Sequence, residues 1–311
     1  MRRLTKGVAA AGLLAAAVLV GVVGCTPIPM WMVLQGRSQI TDHAHFDNAP
    51  IARAAQPSPL PAAPAALRWP GGLDEAAALA DVASRGTVAL LVARRGQLVH
   101  ERYFNGYGPD SIATSFSMAK SVVSVLLGIA IDEGRIAGVD EPVTRYLPEL
   151  RGNDPRFDRI TLRHLLAMRS GIAFDEGYRS PVSEAATFYL GRDLQAEVAR
   201  LRIEGEPDQA YAYKSGDTQL LAMALQRAVG QPLARYAELK LWQPMGAQHD
   251  ASWSLDSSAK GQARAFCCLN ARAVDYLRFG QMVLNGGEWN GRRIVSAAWL
   301  QRSTAAAAGL P

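Results

Sequence analysis

The spacing of apolar positions changes along the chain, and one largely apolar stretch in its interior is the most telling. Behind Lys120 the residues read Ser-Val-Val-Ser-Val-Leu-Leu-Gly-Ile-Ala-Ile before Asp132-Glu133-Gly134. That run predicts a buried helix of about four turns with Gly134 as its C-cap. Upstream, an alanine-rich stretch over about 74–84 predicts a helix. Thr87-Val-Ala-Leu-Leu-Val-Ala93 and Gln97-Leu-Val-His-Glu-Arg-Tyr-Phe104 predict two strands joined through Arg94-Arg95-Gly96 as a hairpin. Downstream the pattern is helical, over 143–150, 161–168, 181–189, 194–203, 218–229, 234–242, 271–284 and 296–302, with polar loops between.

The long apolar helix is entered through Ser117-Met118-Ala119-Lys120. A Ser and a Lys three apart share one helix face. A serine hydroxyl needs a neighbouring base to act as a nucleophile, and a lysine serves when its surroundings permit. The helix start adds unpaired N–H groups and a positive dipole end for developing negative charge. A second Ser-x-x-Lys, Ser257 to Lys260, sits in a polar, glycine-ended stretch with no apolar helix behind it and is expected to be a solvated loop. Tyr211-Ala-Tyr213-Lys214-Ser215-Gly216-Asp217 precedes another apolar helix, with Asp217 expected as its N-cap, so Tyr213 would be mounted rigidly enough to move a proton at a fixed place.

The ends and the composition set the context. Residues 1–24 carry a charged start and an Ala-Val-Leu run, and read as a signal peptide ending before Cys25, which is expected to carry lipid. Residues 25–70, rich in Pro and Ala, are expected to form an extended tether, leaving 71–311 as the folded domain. The expected location is therefore exported and membrane-anchored. The formal charge of +5 comes mainly from scattered arginines without a run, so no nucleic-acid partner is expected. Cys267 and Cys268 are neighbours, and two reduced, buried thiols are expected because a bond between adjacent cysteines is strained. His43-Ala-His45-Phe-Asp47 has no further ligand at suitable spacing, so no metal is expected there. His164, among leucines, is expected to be a core or capping residue, and His249 a loop residue.

Together these segments resemble the serine beta-lactamase and penicillin-binding-protein superfamily, in particular its class C-like esterase and 6-aminohexanoate-dimer hydrolase branch. The resemblance rests on Ser117-Met-Ala-Lys120, Tyr213-Lys-Ser215 with Gly216-Asp217, Leu162-Arg-His-Leu-Leu-Ala-Met-Arg-Ser-Gly171, Gly138-Val-Asp-Glu-Pro142 with Tyr146-Leu-Pro-Glu-Leu150, and Ala265-Phe-Cys-Cys-Leu-Asn270. It runs from about residue 71 to 302. It implies an α/β fold, beta-lactamase-like, with an antiparallel sheet flanked by helices and a helical subdomain. It also implies Ser117 as acylated nucleophile, Lys120 as the residue holding its proton and Tyr213 as general base and acid. Ser215 would bind near substrate, and Tyr178, in Phe174-Asp-Glu-Gly-Tyr178, would be the loop tyrosine near a leaving nitrogen. No cofactor is implied.

Such proteins carry a third element, Lys-Thr-Gly or His-x-Gly-like, on a late strand, and no such element is found before Pro311. The domain is therefore expected to lack its C-terminal strands. The function expected is an exported serine hydrolase that cleaves an ester or amide, with a small ester or linear amide ranked above a lactam. The alternative is a truncated, inactive lipoprotein of the same fold with a binding role at most.

Overall fold

The computed structural model describes Met32 and residues 38–305 apart from 179 and 181. Its first half contains strand β1 (Asn48–Ile51), helix α1 (Glu75–Ser84), strands β2 (Ala89–Arg94), β3 (Gln97–Tyr103) and β4 (Ile112–Thr114), helix α2 (Met118–Asp132) and helix α3 (Leu162–Leu166). There follow strand β5 (Ile172–Ala173), helices α4 (Glu184–Leu190) and α5 (Leu194–Val198), strand β6 (Arg202–Ile203), and helices α6 (Ser215–Val229) and α7 (Leu233–Ala237). Strands β7 (Ala251–Ser254) and β8 (Leu269–Arg272) and helices α8 (Ala273–Leu284) and α9 (Ala297–Thr304) complete the part that positions the site.

Helix α2 is the axis of the core. Ala119, Val122, Val123, Leu126, Leu127 and Ala130 are buried at helical spacing, and on the α9 side Gly128 lies under Trp299. A Cβ at Gly128 would come within 2.4 Å of the indole, so only glycine lets the two helices approach this closely. The helix closes one residue earlier than expected: Glu133 is its C-cap, and Gly134, with φ 71°, turns the chain just beyond it. Helix α6 packs beside it and is buried from Ser215 to Leu225. Its first turn starts earlier than the sequence pattern indicates, so Asp217 is not its N-cap but a residue inside the first turn.

The main sheet is antiparallel with strand order β1-β7-β8-β4. Its register is held by one buried amide. Asn270 Nδ2 donates to Asn48 Oδ1 (3.0 Å) and Ser254 Oγ (3.0 Å), while its Oδ1 accepts from Thr114 Oγ1 (2.8 Å), so a single side chain reaches all four strands. The β2–β3 hairpin turns through Arg95 (φ 52°) and Gly96 (φ 76°), a turn with two left-handed residues that suits a two-residue hairpin loop.

Three expectations need correction. Of the segment read as a tether, residues 38–70 are described, and they belong to the fold: β1 is an edge strand, Ile51 is fully buried, and Ala54 N and Ser58 N donate to the Ala247 and Gly246 carbonyls. Proline is tolerated there because an edge strand has one face of backbone donors without a partner strand. The Ser257–Lys260 stretch is a turn exposed from Ser258 to Lys260, as expected of a loop, but its first residue is not solvated. Ser257 is buried with its hydroxyl on the Arg192 carbonyl, and Lys260 pairs with Asp193. The 194–203 helix stops at Val198, because the chain must return as β6 to pair with β5. By contrast His164 caps its helix, its Nδ1 accepting from Thr161 N, and His249 is tied by Nδ1 to Asp275. Residues 1–24 and Cys25 lie outside the described residues.

Because Ile51 is core and not linker, Ile51→Ala in the full chain is expected to cost about 2–5 kcal/mol in urea denaturation. A tether residue would change stability by less than about 0.5 kcal/mol.

Candidate active site

Strand β4 delivers the chain to α2 through a constrained corner. Ser115 N donates to the Leu269 carbonyl (2.8 Å) of β8, and the next residue, Phe116, has φ 43°. A non-glycine residue in the left-handed region costs on the order of 1 kcal/mol and persists only where neighbours enforce it. Here it sets Ser117 at the exposed N-terminal corner of α2. Tyr276 of α8 braces the same corner, its phenol bonded to the Ala113 (2.8 Å) and Leu269 (2.7 Å) carbonyls.

Lys120 brings the site together. Its Nζ is 3.1 Å from Ser117 Oγ and donates to the Phe266 carbonyl at 2.8 Å. It also lies over the Tyr213 ring, 4.9 Å from the centroid. Ser117, Lys120 and Tyr213 thus meet as the resemblance implies, although among the described residues nothing hydrogen-bonds the Tyr213 phenol. They share a cleft of about 1040 Å³ whose walls include Met118, Leu166, Met168 and Phe279.

The Phe266 carbonyl was not foreseen, and the segment that presents it corrects a further expectation. Cys267 and Cys268 are not two free thiols but form a disulfide between neighbours. The left-handed backbone at Cys268 (φ 70°) turns the chain so that both sulfurs fall on one side. The turn is seated on Trp253, whose Nε1 donates to the Arg264 and Cys267 carbonyls, both at 3.0 Å. Trp242 and Trp253 are accordingly core residues.

Ser215 and Tyr178 are placed apart from the cleft. Ser215 is fully buried, and its N–H and hydroxyl both point to Glu176, not to Lys120. Tyr178 is 59% exposed, and its phenol donates to Glu176 at 2.6 Å. Partial desolvation and the adjacent Glu176 carboxylate push that phenol above the usual tyrosine range. Glu176 could have been suspected only from its place two residues before Tyr178.

Behind the tyrosine element lies a buried polar layer. Lys214 Nζ is buried against the Ile172 carbonyl, with Glu204 at 3.3 Å. Asp217 accepts from Ser170 Oγ at 2.6 Å. Burial pushes the Asp217 carboxyl up to about 7, against the opposing pull of the Ser170 hydroxyl and the Lys214 charge. Among the described residues no group of three or more His, Cys, Asp or Glu could hold a metal ion.

Comparison with known proteins bears on the fold that carries this geometry. The family model Beta-lactamase matches residues 75–311. A 6-aminohexanoate-dimer hydrolase of Paenarthrobacter ureafaciens is 32% identical over 230 residues, covering 69% of this chain and 56% of that protein. The esterase EstB of Burkholderia gladioli is 28% identical over 185 residues, covering 52% of this chain and 45% of that protein. A solved Bacillus anthracis structure, described as a candidate 6-aminohexanoate-dimer hydrolase, superposes with TM-score 0.74 at 26% identity, covering 85% of this chain and 72% of the other. The chain spans about half the length of the curated relatives it matches.

The buried Asp217 makes stability depend on pH. Its carboxyl has an ordinary value of 3.8 and a folded value of about 7, so between these the native state holds a proton that the unfolded chain has lost. Stability then falls as pH rises through that window. Asp217→Asn removes the effect: in urea denaturation the variant is expected to gain on the wild type from pH 4 to pH 7, by about 4 kcal/mol at most. A pH-independent difference would contradict the assignment.

Proposed function

The chain belongs to the beta-lactamase family, and from that membership we propose that it is a serine hydrolase that cleaves a small ester or linear amide through an acyl-enzyme on Ser117. The observation that carries this reading is Lys120 Nζ, set between Ser117 Oγ and the Phe266 carbonyl. In its amine form Lys120 accepts the hydroxyl proton of Ser117 while donating one N–H to Phe266. Ser117 Oγ attacks the substrate carbonyl carbon, and the oxyanion is met by the Ser117 N–H at the start of α2. The Tyr213 phenol, beside Lys120, protonates the leaving alkoxide or amine and recovers its proton from Lys120. Water then attacks the acyl carbon, returning a proton through Tyr213 and freeing Ser117.

Ester and linear amide are ranked first because the tyrosine element reads Tyr213-Lys-Ser215-Gly-Asp217 and because the matched relatives carry the names hydrolase of an aminohexanoate dimer and esterase. The apolar lining of the cleft, with Met118, Leu166 and Phe279, suits an uncharged acyl group. The N-terminal pattern supports export, with residues 1–24 removed and Cys25 lipidated to hold the domain at a membrane surface.

Ser117→Ala is expected to lower kcat/KM for an aryl ester by roughly a thousandfold or more, Lys120→Met by a similar factor, and Tyr213→Phe by roughly a hundredfold. Wild-type rates in Ser117→Ala would exclude this mechanism. For localisation, Cys25→Ser is expected to move the protein from the membrane pellet to the soluble fraction. An unchanged distribution would exclude lipid anchoring at that residue.

A further inference from the structure

Cys267 and Cys268 take no part in the proton transfers described above, yet the residue before them carries the acceptor on which Lys120 is set. Around them the backbone is held from two sides. The Arg264 and Cys267 carbonyls both accept from Trp253 Nε1 (3.0 Å), and the Cys268 carbonyl accepts from Ser254 N (2.9 Å), so β7 holds these three groups. Helix α6 holds the approach to the turn: Gln219 Nε2 donates to the Ala263 carbonyl (3.0 Å), and its Oε1 accepts from Ala265 N (2.9 Å). Between these anchors the Phe266 carbonyl faces the cleft and accepts from Lys120 Nζ (2.8 Å).

The direction of that carbonyl is coupled to the disulfide. It shares one planar peptide unit with Cys267 N–H, which donates to the Arg264 carbonyl (3.2 Å), so the two groups can turn only together. A bond between adjacent cysteines closes the smallest ring that two cysteine side chains can form, and it restrains the peptide between them. Cys268 is in the left-handed region (φ 70°), a conformation that a non-glycine residue keeps only where its surroundings enforce it.

We propose that the Cys267–Cys268 disulfide is a positioning element that aims the Phe266 carbonyl at Lys120, so that Ser117 is fully activated only while the bond is closed. This rests on the hydrolase reading above. A dithiol opens the bond by exchange: its two thiols are oxidised to one disulfide, and the cysteine sulfurs take up two electrons and two protons to become two thiols. Cys268 is then free to leave the left-handed region, and the Phe266 carbonyl turns away with the peptide. Lys120 keeps Ser117 as a neighbour but loses the acceptor that sets the direction of its Nζ.

The test compares the full chain oxidised, reduced with dithiothreitol and reoxidised, with peptide masses to establish the state of the bond and circular dichroism to establish the fold. On reduction, the rate of fluorophosphonate labelling at Ser117 and kcat for an aryl ester are expected to fall about tenfold, with KM changed by less than about twofold, and to return on reoxidation. The double variant Cys267→Ala with Cys268→Ala is expected to match the reduced protein and to be indifferent to dithiothreitol. Where the bond resists the reductant in the folded chain, this variant alone decides. An open turn that labels at the oxidised rate, or one that raises KM and leaves kcat unchanged, would overturn the inference. Hydrogen exchange supplies a reading that needs no turnover. Peptides spanning 264–270 are expected to exchange faster with the bond open while 122–130 of α2 are unchanged, and unchanged exchange at 264–270 would overturn the hold of the bond on the turn. A wild type that takes no label in either state, yet shows the exchange effect, would refute the hydrolase reading and with it the effect on Ser117, leaving the disulfide as a support of the turn.

Discussion

One nitrogen ties the site together. Lys120 Nζ can sit 3.1 Å from Ser117 Oγ and 2.8 Å from the Phe266 carbonyl only if a helix start and a loop 146 residues later are held in fixed relation. Strands β4 and β8 provide that relation. They pair side by side, Ser115 is bonded to Leu269 just beyond the pair, and Tyr276 closes over the junction. Two left-handed residues, Phe116 just after β4 and Cys268 just before β8, turn the chain toward the lysine at one end of each strand. Their strain is local, and the Asn270 amide that reaches all four strands supplies part of the rigidity that sustains it.

Polar groups behind the cleft are arranged by the same logic. Lys214 and Asp217, both buried, flank the start of α6 on the side away from the cleft, while Glu176 caps it from the loop. The tyrosine element therefore rests on hydrogen-bonded groups and not on apolar packing alone. Asp217 Oδ2 is buried without a partner, while the other contacts of the layer fix the loop against the helix.

Much of this was legible in the sequence where local pattern decides the outcome. The α2 run, the β2–β3 hairpin and the Ser117–Lys120 spacing are short-range signals, and each appears where the pattern places it. Elements that exist only through distant partners were not legible. Strands β1, β4, β7 and β8 are three or four residues long, too short for a period-2 signal, and form because the core and the Asn270 network select them. The proline-rich residues before 70 looked like a tether because their partners, β7 and the 246–247 turn, lie nearly 200 positions away. The Phe266 carbonyl was invisible for a different reason: a backbone acceptor leaves no mark on residue type. Asp217 was expected to cap the helix and Ser215 to face substrate, yet α6 starts at Ser215 and their side chains turn to Ser170 and Glu176, and only the three-dimensional packing of the 170–178 segment decides that.

The central claim is that Lys120 makes Ser117 a nucleophile. The most direct measurement is the intact mass and peptide map of the folded full chain after treatment with a fluorophosphonate, beside Lys120→Met and with circular dichroism to establish that each is folded. The account predicts a single adduct on Ser117 in the wild type and at least a hundredfold slower labelling without Lys120. A folded wild type that takes no label, or labelling of Ser117 at the same rate in Lys120→Met, would contradict it.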